Sequence, residues 1–193
     1  MIKKKVLVIV AHPDDETIWM GGTLIRNKRN WDTTTICMCR KGDEDRCPKF
    51  IKACKILGVK PFIFDLDDTK LKPLSSKSYI KILKNFPGKN YDYIFTHGEN
   101  GEYGHIRHKE IHKVVKEVLK KGLIKAKKVF FFSYVKRKNN FQGYAEYDSS
   151  ANIFIKLNHD EILLKKKIIK NVYGYQRGGF EEKSAAEIES FLK

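Results

Sequence analysis

An unbroken apolar run, residues 6–11, leads directly into His12, Pro13 and three carboxylates, Asp14, Asp15 and Glu16. The run is rich in β-branched residues and lacks polar residues at alternate positions, which predicts a strand buried on both faces, as in a parallel sheet. Parallel strands are joined through helices, and ligands collect at the carboxyl ends of the strands. This one stretch therefore predicts an α/β architecture and puts His12, Asp14 and Asp15 at the end where such folds carry chemistry. Asp14 or Asp15 could also serve as the N-cap of a following helix. A cap uses one carboxylate, however, and this turn holds three beside an imidazole.

The remainder of the chain keeps the same alternation. Residues 17–28 read as a helix, 33–39 as a strand, and 42–48 as a charged loop with Pro48 suited to a first helical turn. The next helix ends at Leu57, stopped by Gly58. A strand at 61–66, a helix at 76–86 and a strand at 91–97 follow, then a glycine-punctuated loop. In the long helix beyond it, Ile111, Val114, Val115, Val118 and Leu119 form one apolar stripe. A fifth strand at 128–134 and a helix at 160–172 complete the pattern. Strand and helix alternating in this way predict a Rossmann-like three-layer α/β domain, a mostly parallel sheet flanked by helices. With 193 residues the expectation is a single domain, 1–193. No G-x-G-x-x-G follows the first strand, which disfavours a dinucleotide.

Composition narrows the function classes. A hydrophobic share of 41% is that of a globular protein, and no apolar stretch reaches the roughly 20 residues of a membrane span. The basic start followed by residues 6–11 imitates a secretory signal, but the apolar part is short and no small-x-small cleavage site follows, so a cytoplasmic protein is expected. Cys37, Cys39, Cys47 and Cys54 form no C-x-x-C pair. Cys37 and Cys39, alternating with Ile36 and Met38, are expected on one face as reduced core thiols. The net charge of +16 suits nucleic acid, a membrane surface or an anionic substrate. The excess is mostly Lys spread over nearly every helical stretch, which suits solvated faces at least as well as a binding patch, and no nucleic-acid partner is expected.

A second reactive cluster, His105-Ile-Arg-His108, again follows a strand and loop and opens a helix. Residues three apart share a helical face, so both imidazoles can point into the cleft that receives the first turn. Two His and one carboxylate with an open position form a catalytic zinc arrangement, in which the metal acidifies a water and polarises a carbonyl. Asp14 and His105 are then surplus, free to act as base and electrophilic helper. The same ligand types also describe a non-haem iron(II) oxygenase, although there the first two ligands usually sit two apart on a strand of an all-β fold.

Together, Ala11-His-Pro-Asp-Asp-Glu16 after an N-terminal strand and Gly104-His-Ile-Arg-His108 some ninety residues on resemble the PIG-L/LmbE-like family of zinc-dependent N-acetylglucosaminyl deacetylases. Arg46, the segment 53–59 ending in Leu-Gly-Val, and a late Tyr-x-x-Gln at 173–176 extend the resemblance over most of the chain. It implies His12, Asp15 and His108 as ligands of Zn2+, or of another divalent metal such as Fe2+, and Asp14 as general base. His105 would stabilise the tetrahedral intermediate or protonate the leaving amine, and Arg46 would face substrate. The implied partner is a small N-acetylated amino-sugar conjugate, and a homo-oligomer is compatible. Glu44 and the 99–102 loop are expected to offer polar contacts to ring hydroxyls, and the loops 67–76 and 139–148 to select the sugar's carrier. Two positions depart from the family pattern: Ile106-Arg107 replaces a frequent Pro-Asp, and Lys49 replaces a Glu. They leave open what supports His108. The competing class is a basic nucleic-acid-binding protein with a vestigial site.

Overall fold

The structure, a computed structural model, describes residues 2–137 and 143–193. It opens with a regular alternation of β1 (Lys4–Val10), α1 (Asp15–Asn27), β2 (Trp31–Cys39), α2 (Arg46–Leu57), β3 (Lys60–Leu66), α3 (Ser76–Asn85), β4 (Asn90–Thr96), α4 (Ile106–Lys120) and β5 (Lys125–Phe132). These five strands are parallel, in the order β3-β2-β1-β4-β5. Val6, Val8 and Val10 face a core completed by α1, α2 and the C-terminal helices, with Ile18, Trp19, Phe50 and Ile168. Leu7, Ile9 and Ala11 face the opposite core, filled from α3 and α4 by Tyr79, Leu83, Ile111 and Val115. The apolar run is thus buried on both sides, and the expected three-layer α/β fold is the one observed.

The last third adds elements the sequence pattern does not announce. A short hairpin pairs β6 (Tyr134–Lys136) with β7 (Ala145–Tyr147). Then come β8 (Ile153–Lys156), α5 (His159–Lys167), a π-helical turn Ile168–Tyr173, α6 (Phe180–Ser184) and β9 (Ile188–Leu192). β9 lies antiparallel between β5 and β8, extending the sheet to seven strands. The predicted helix over 160–172 is therefore α5 continued into the wider π turn. Cys37 and Cys39 also depart from expectation. Cys37 packs with Val8 and Val10, whereas Cys39 packs with Ile36 and Met38 on the other side. The reason is local: the pairing of β2 with β3 shifts register between these two residues, so the period of two fails there. All four cysteines are free thiols.

β9 escapes a hydrophobic pattern because Glu189 and Ser190 are fully buried. Glu189 has a defined task. α1 is broken at Met20 (φ −148°, ψ 18°), and its second half begins with backbone N–H groups that have lost their helical acceptors. The Glu189 carboxylate accepts Gly22 N–H and Thr23 N–H, both at 2.8 Å, and Thr23 Oγ1–H at 2.6 Å. Lys165 Nζ, equally buried, completes the shell at 2.8 Å. Gly22 also lets the Leu157 side chain pack against α1, since a Cβ there would lie 2.3 Å from it. Removing one partner of a buried ion pair strands the other charge, at a cost of about 3–5 kcal/mol. Lys165→Met is therefore expected to lower unfolding stability by roughly that amount, while Lys165→Met combined with Glu189→Gln recovers part of the loss. Urea denaturation midpoints of the two variants check this.

Candidate metal centre

β1 and β4 are direct neighbours, with Val6 beside Tyr93 through to Ile9 beside Thr96, so the turns that follow them open at one place. In the first turn, Asp15 Oδ2 accepts the backbone N–H of His12 at 2.8 Å, and Asp15 Oδ1 accepts Trp19 Nε1–H at 2.8 Å. One carboxylate thereby ties the end of β1 to the first turn of α1. Asp14 stands at the N-cap position in left-handed geometry, φ 116°, a costly conformation for a residue with a Cβ. Its side chain makes no capping bond. Its carbonyl oxygen instead accepts Thr17 N–H and Ile18 N–H, both at 2.8 Å. Capping, the bland reading of Asp14, is not what its carboxylate does.

The second turn is organised by Glu102, which is fully buried. Its Oε1 accepts Gly98 N–H at 2.7 Å, and its Oε2 lies 2.9 Å from His97 Nδ1 and 2.5 Å from His108 Nδ1. A carboxylate accepts, so His108 carries its proton on Nδ1 and turns an unprotonated Nε2 toward the cleft. Burial, with His97 beside it, lowers the pKa of His108 and favours that neutral ring. His97, which sequence reasoning treats only as a strand end, uses both nitrogens: Nε2 accepts Ala11 N–H at 3.0 Å and Nδ1 donates to Glu102. His105 caps α4, its Nδ1 accepting Arg107 N–H at 3.3 Å, which leaves the proton on Nε2. Burial and the neighbouring His108 and His12 rings hold its pKa down at about 4.

His12 Nδ1, Asp15 Oδ2 and His108 Nε2 then form a near-equilateral triangle. The sides are 3.2 Å between the two imidazoles, 3.4 Å from His12 to Asp15 and 3.5 Å from His108 to Asp15. Bonds of 2.0–2.1 Å in a tetrahedron subtend edges of about 3.3–3.4 Å, so the triangle has the dimensions of one face of a zinc coordination shell. The donor types, two nitrogens and one oxygen, suit zinc or iron(II). Two further donor groupings exist around His108, one with His12 and His105 and one with Asp15 and His97. In each of them one histidine already accepts a backbone N–H, His105 through Nδ1 and His97 through Nε2, and His97 also donates its other nitrogen's proton to Glu102.

Asp14 lies beside the triangle but outside it. Its Oδ2 accepts Arg46 Nη1–H at 2.9 Å and the hydroxyl of Tyr175, and Arg46 also donates to that hydroxyl. Arg46, expected to face substrate, is thus tied first to Asp14, although it does line the cavity. Burial and the Asp15 charge push the Asp14 pKa up to about 7, against the opposing pull of Tyr175 and Arg46. Glu16 points the other way, into the core, where its Oε1 accepts Tyr173 Oη–H at 2.7 Å and Thr17 Oγ1–H at 2.6 Å.

These groups open into a cavity of about 440 Å³, whose outer wall includes Arg40, Asp68, Tyr103, Lys136, Phe180 and Glu181. Glu44 and Glu99 are exposed and are not part of this lining, and Glu102 is buried beneath His108. Of the two loops expected to select the carrier, 67–76 reaches the cavity through Asp68, and Gly143 represents the other. Residues 139–142 lie outside the described residues. Support for His108 comes from Glu102, so the replacement at Arg107 does not leave that imidazole loose. The signal that could have found Glu102 and His97 was position: both follow the carboxyl end of β4, where His105 was already suspected.

A family model described as PIG-L, GlcNAc-PI de-N-acetylase, matches residues 7–119. An uncharacterized protein, L374, of Acanthamoeba polyphaga mimivirus is 31% identical over 134 residues, 60% of this chain and 58% of its own length, so the match spans little more than half of that relative. Among solved structures, the N,N'-diacetylchitobiose deacetylase of Pyrococcus horikoshii superposes with a TM-score of 0.63 at 20% identity, covering 97% of this chain and 82% of that one. GalB, a 4-carboxy-2-hydroxymuconate hydratase of Pseudomonas putida KT2440, gives 0.64 at 16% identity over 94% of this chain and 82% of its own. At these identities the two structures establish a common fold, and a common fold carries more than one reaction. The family match covers more than half of the chain and includes both histidine clusters: the protein belongs to the PIG-L family.

Proposed function

We propose that the protein is a metal-dependent hydrolase that removes the N-acetyl group from an N-acetylglucosamine-containing substrate. The observation that carries this reading is the triangle of His12, Asp15 and His108 donors with a second carboxylate, Asp14, held beside it and outside it. Metal-assisted amide hydrolysis uses both parts, a cation site and an independent base. Membership of the PIG-L family and the fold shared with a chitobiose deacetylase support the choice of an N-acetyl sugar.

A divalent ion held by the three donors supplies Lewis acidity, lowering the pKa of a water and polarising the amide carbonyl. The chain's own residues do the rest. Asp14 has its Oδ2 fixed by Arg46 and Tyr175, and its Oδ1, with no hydrogen-bond partner among the described residues, is free to take the proton of the attacking water. His105, neutral and bearing its proton on Nε2, can donate a hydrogen bond to the developing oxyanion. That favours stabilisation over proton delivery for this residue. Arg46 positions Asp14, and its remaining N–H groups can meet the sugar's hydroxyls or an anionic substituent. The whole of residues 1–193 acting as one domain is part of the same reading.

Purified protein is expected to take up one divalent ion per chain, and a chelator should abolish turnover that added zinc restores. His108→Ala should lose the ion, and full metal content in that variant would remove His108 from the ligand set. Asp14→Asn keeps the shape but not the basic oxygen, so activity should fall roughly 10²- to 10⁴-fold with metal content unchanged. Arg46→Ala should weaken turnover at constant metal content, because Asp14 loses one of its two holds. The substrate class is tested by acetate release from a panel of free, lipid-linked, nucleotide-linked and glycosidic N-acetylhexosamines. Metal-loaded protein that released acetate from none of them would refute the reading.

A further inference from the structure

Arg107 is, among the described residues, the largest charged side chain with no exposure to solvent, and it departs from the family pattern at the position between the two site histidines. Its guanidinium reaches away from the cavity and grips the segment between β3 and α3. Nε donates to the carbonyl of Asp67 at 2.9 Å, Nη2 to the carbonyl of Lys72 at 2.8 Å and Nη1 to Glu110 Oε2 at 2.8 Å. Glu110, one turn further along α4, accepts Leu74 N–H at 2.9 Å and Tyr79 Oη–H at 2.6 Å. Two side chains of α4 therefore hold a stretch that has no regular secondary structure and contains a left-handed residue, Leu71 at φ 47°.

That stretch brings one functional group into the centre. Asp68 is buried, with Oδ2 accepting Arg40 Nη2–H at 2.8 Å and Nε–H at 3.2 Å. Its Oδ1 stands 3.2 Å from His12 Nε2. The two atoms are at bonding distance but off line for a formed hydrogen bond, and neither makes a hydrogen bond to any other described residue, although Arg107 Nε also stands 3.8 Å from Asp68 Oδ1 as an ion pair. A buried carboxylate oxygen and a buried imidazole nitrogen, neither with a hydrogen bond of its own, are satisfied best by each other. His12 turns its other nitrogen, Nδ1, to Asp15 and His108. We propose that Asp68 is the carboxylate that fixes His12 in its metal-binding tautomer, with the proton on Nε2, and that Arg107 is the positioning residue that holds the 67–72 loop so that Asp68 can do so. The proposal rests on the reading of His12 as a ligand. It assigns to the pair Asp68–Arg107 on one side of the centre the task that Glu102 performs for His108 on the other.

The test is zinc affinity, measured by competition with a chromophoric chelator, together with amide hydrogen exchange over residues 69–74. Outer partners of a ligating histidine typically contribute 10- to 100-fold in metal affinity, so Asp68→Asn is expected to weaken zinc binding within that range. Arg107→Met should weaken it by a similar factor and speed exchange in the loop, and the double variant should bind no worse than the weaker single one, since Arg107 acts through Asp68. A merely structural Arg107 would change stability and leave the zinc affinity of the folded protein alone. If Arg107→Met fails to fold, Arg107→Lys, which keeps the charge and loses the fork, takes its place with the same expected direction. Zinc affinity of Asp68→Asn within twofold of the parent, or additive losses in the double variant, would overturn the proposal. His108→Ala separates the two levels: zinc lost there but unaffected in Asp68→Asn sinks this proposal alone, whereas zinc retained in His108→Ala sinks the ligand reading beneath it.

Discussion

Parallel pairing of β1 with β4 is the interaction on which the centre depends. The two strands stop being a ladder at Ile9 and Thr96, but the contact continues through side chains. Thr96 Oγ1–H donates to the Ile9 carbonyl at 2.9 Å, and His97 Nε2 accepts Ala11 N–H at 3.0 Å. Backbone groups that a diverging pair of strands would leave unpaired are thereby satisfied, and the two chains are held together one residue further out. His12 and Asp15 issue from one strand, and Glu102, His105 and His108 from the other. A slip of one residue in this pairing would turn each apolar side chain to the opposite core and separate the donors.

Around that pairing, the protein buries charge in several places, and in these the charge is surrounded by hydrogen-bond partners of the opposite kind, donors for the carboxylates and acceptors for the guanidinium. Glu102 has Gly98 N–H, His97 and His108; Glu189 has two backbone N–H groups, Thr23 and Lys165; Arg107 has two carbonyls and Glu110. Buried pairs of this kind contribute little net stability relative to well-packed apolar residues, because desolvation offsets most of the attraction. What they fix is position. Glu189 fixes the break in α1, so that Trp19, just before it, can bond Asp15, and Arg107 fixes an otherwise irregular loop. The polar interior is an alignment device for the centre.

The features legible in the sequence were those with a period or a motif. The apolar run 6–11, the stripe on α4 and the strand–helix alternation gave the parallel part of the sheet, and His-Pro-Asp-Asp with His-x-x-His gave the residues that converge. The missing parts failed for identifiable reasons. β9 carries Glu189 and Ser190 at buried positions, so binary patterning reads it as surface. The face of Cys39 was misjudged because register shifts within β2, which no local pattern encodes. Glu102, Asp68 and Tyr175 act across 6, 56 and 161 residues of chain. A carboxylate's or hydroxyl's partner at such separations is set by topology, which a periodic reading does not resolve to single side chains.

Asp14 and Asp15 show how adjacent carboxylates acquire different chemistry. Both are buried, which by itself would raise both pKa values, but their neighbours differ. Asp15 faces His108, His97 and His12, which hold its carboxyl well below the usual range. Asp14 faces Asp15 itself, which adds to burial, and is carried up to about 7 although Tyr175 and Arg46 oppose the rise. The left-handed backbone at Asp14 is what makes this separation sterically available, since it turns successive side chains to different surroundings, one toward the imidazoles and one toward Arg46. A cation held by Asp15 would draw the Asp14 value down from there, and the single hold of Arg46 and Tyr175 on Oδ2 leaves Oδ1 to respond. Adjacent acids whose environments push their pKa values apart are fitted to different roles. Here the difference is set by the backbone angle of one residue and by the side chains each carboxylate meets, Arg46 and Tyr175 for Asp14 and three imidazoles for Asp15.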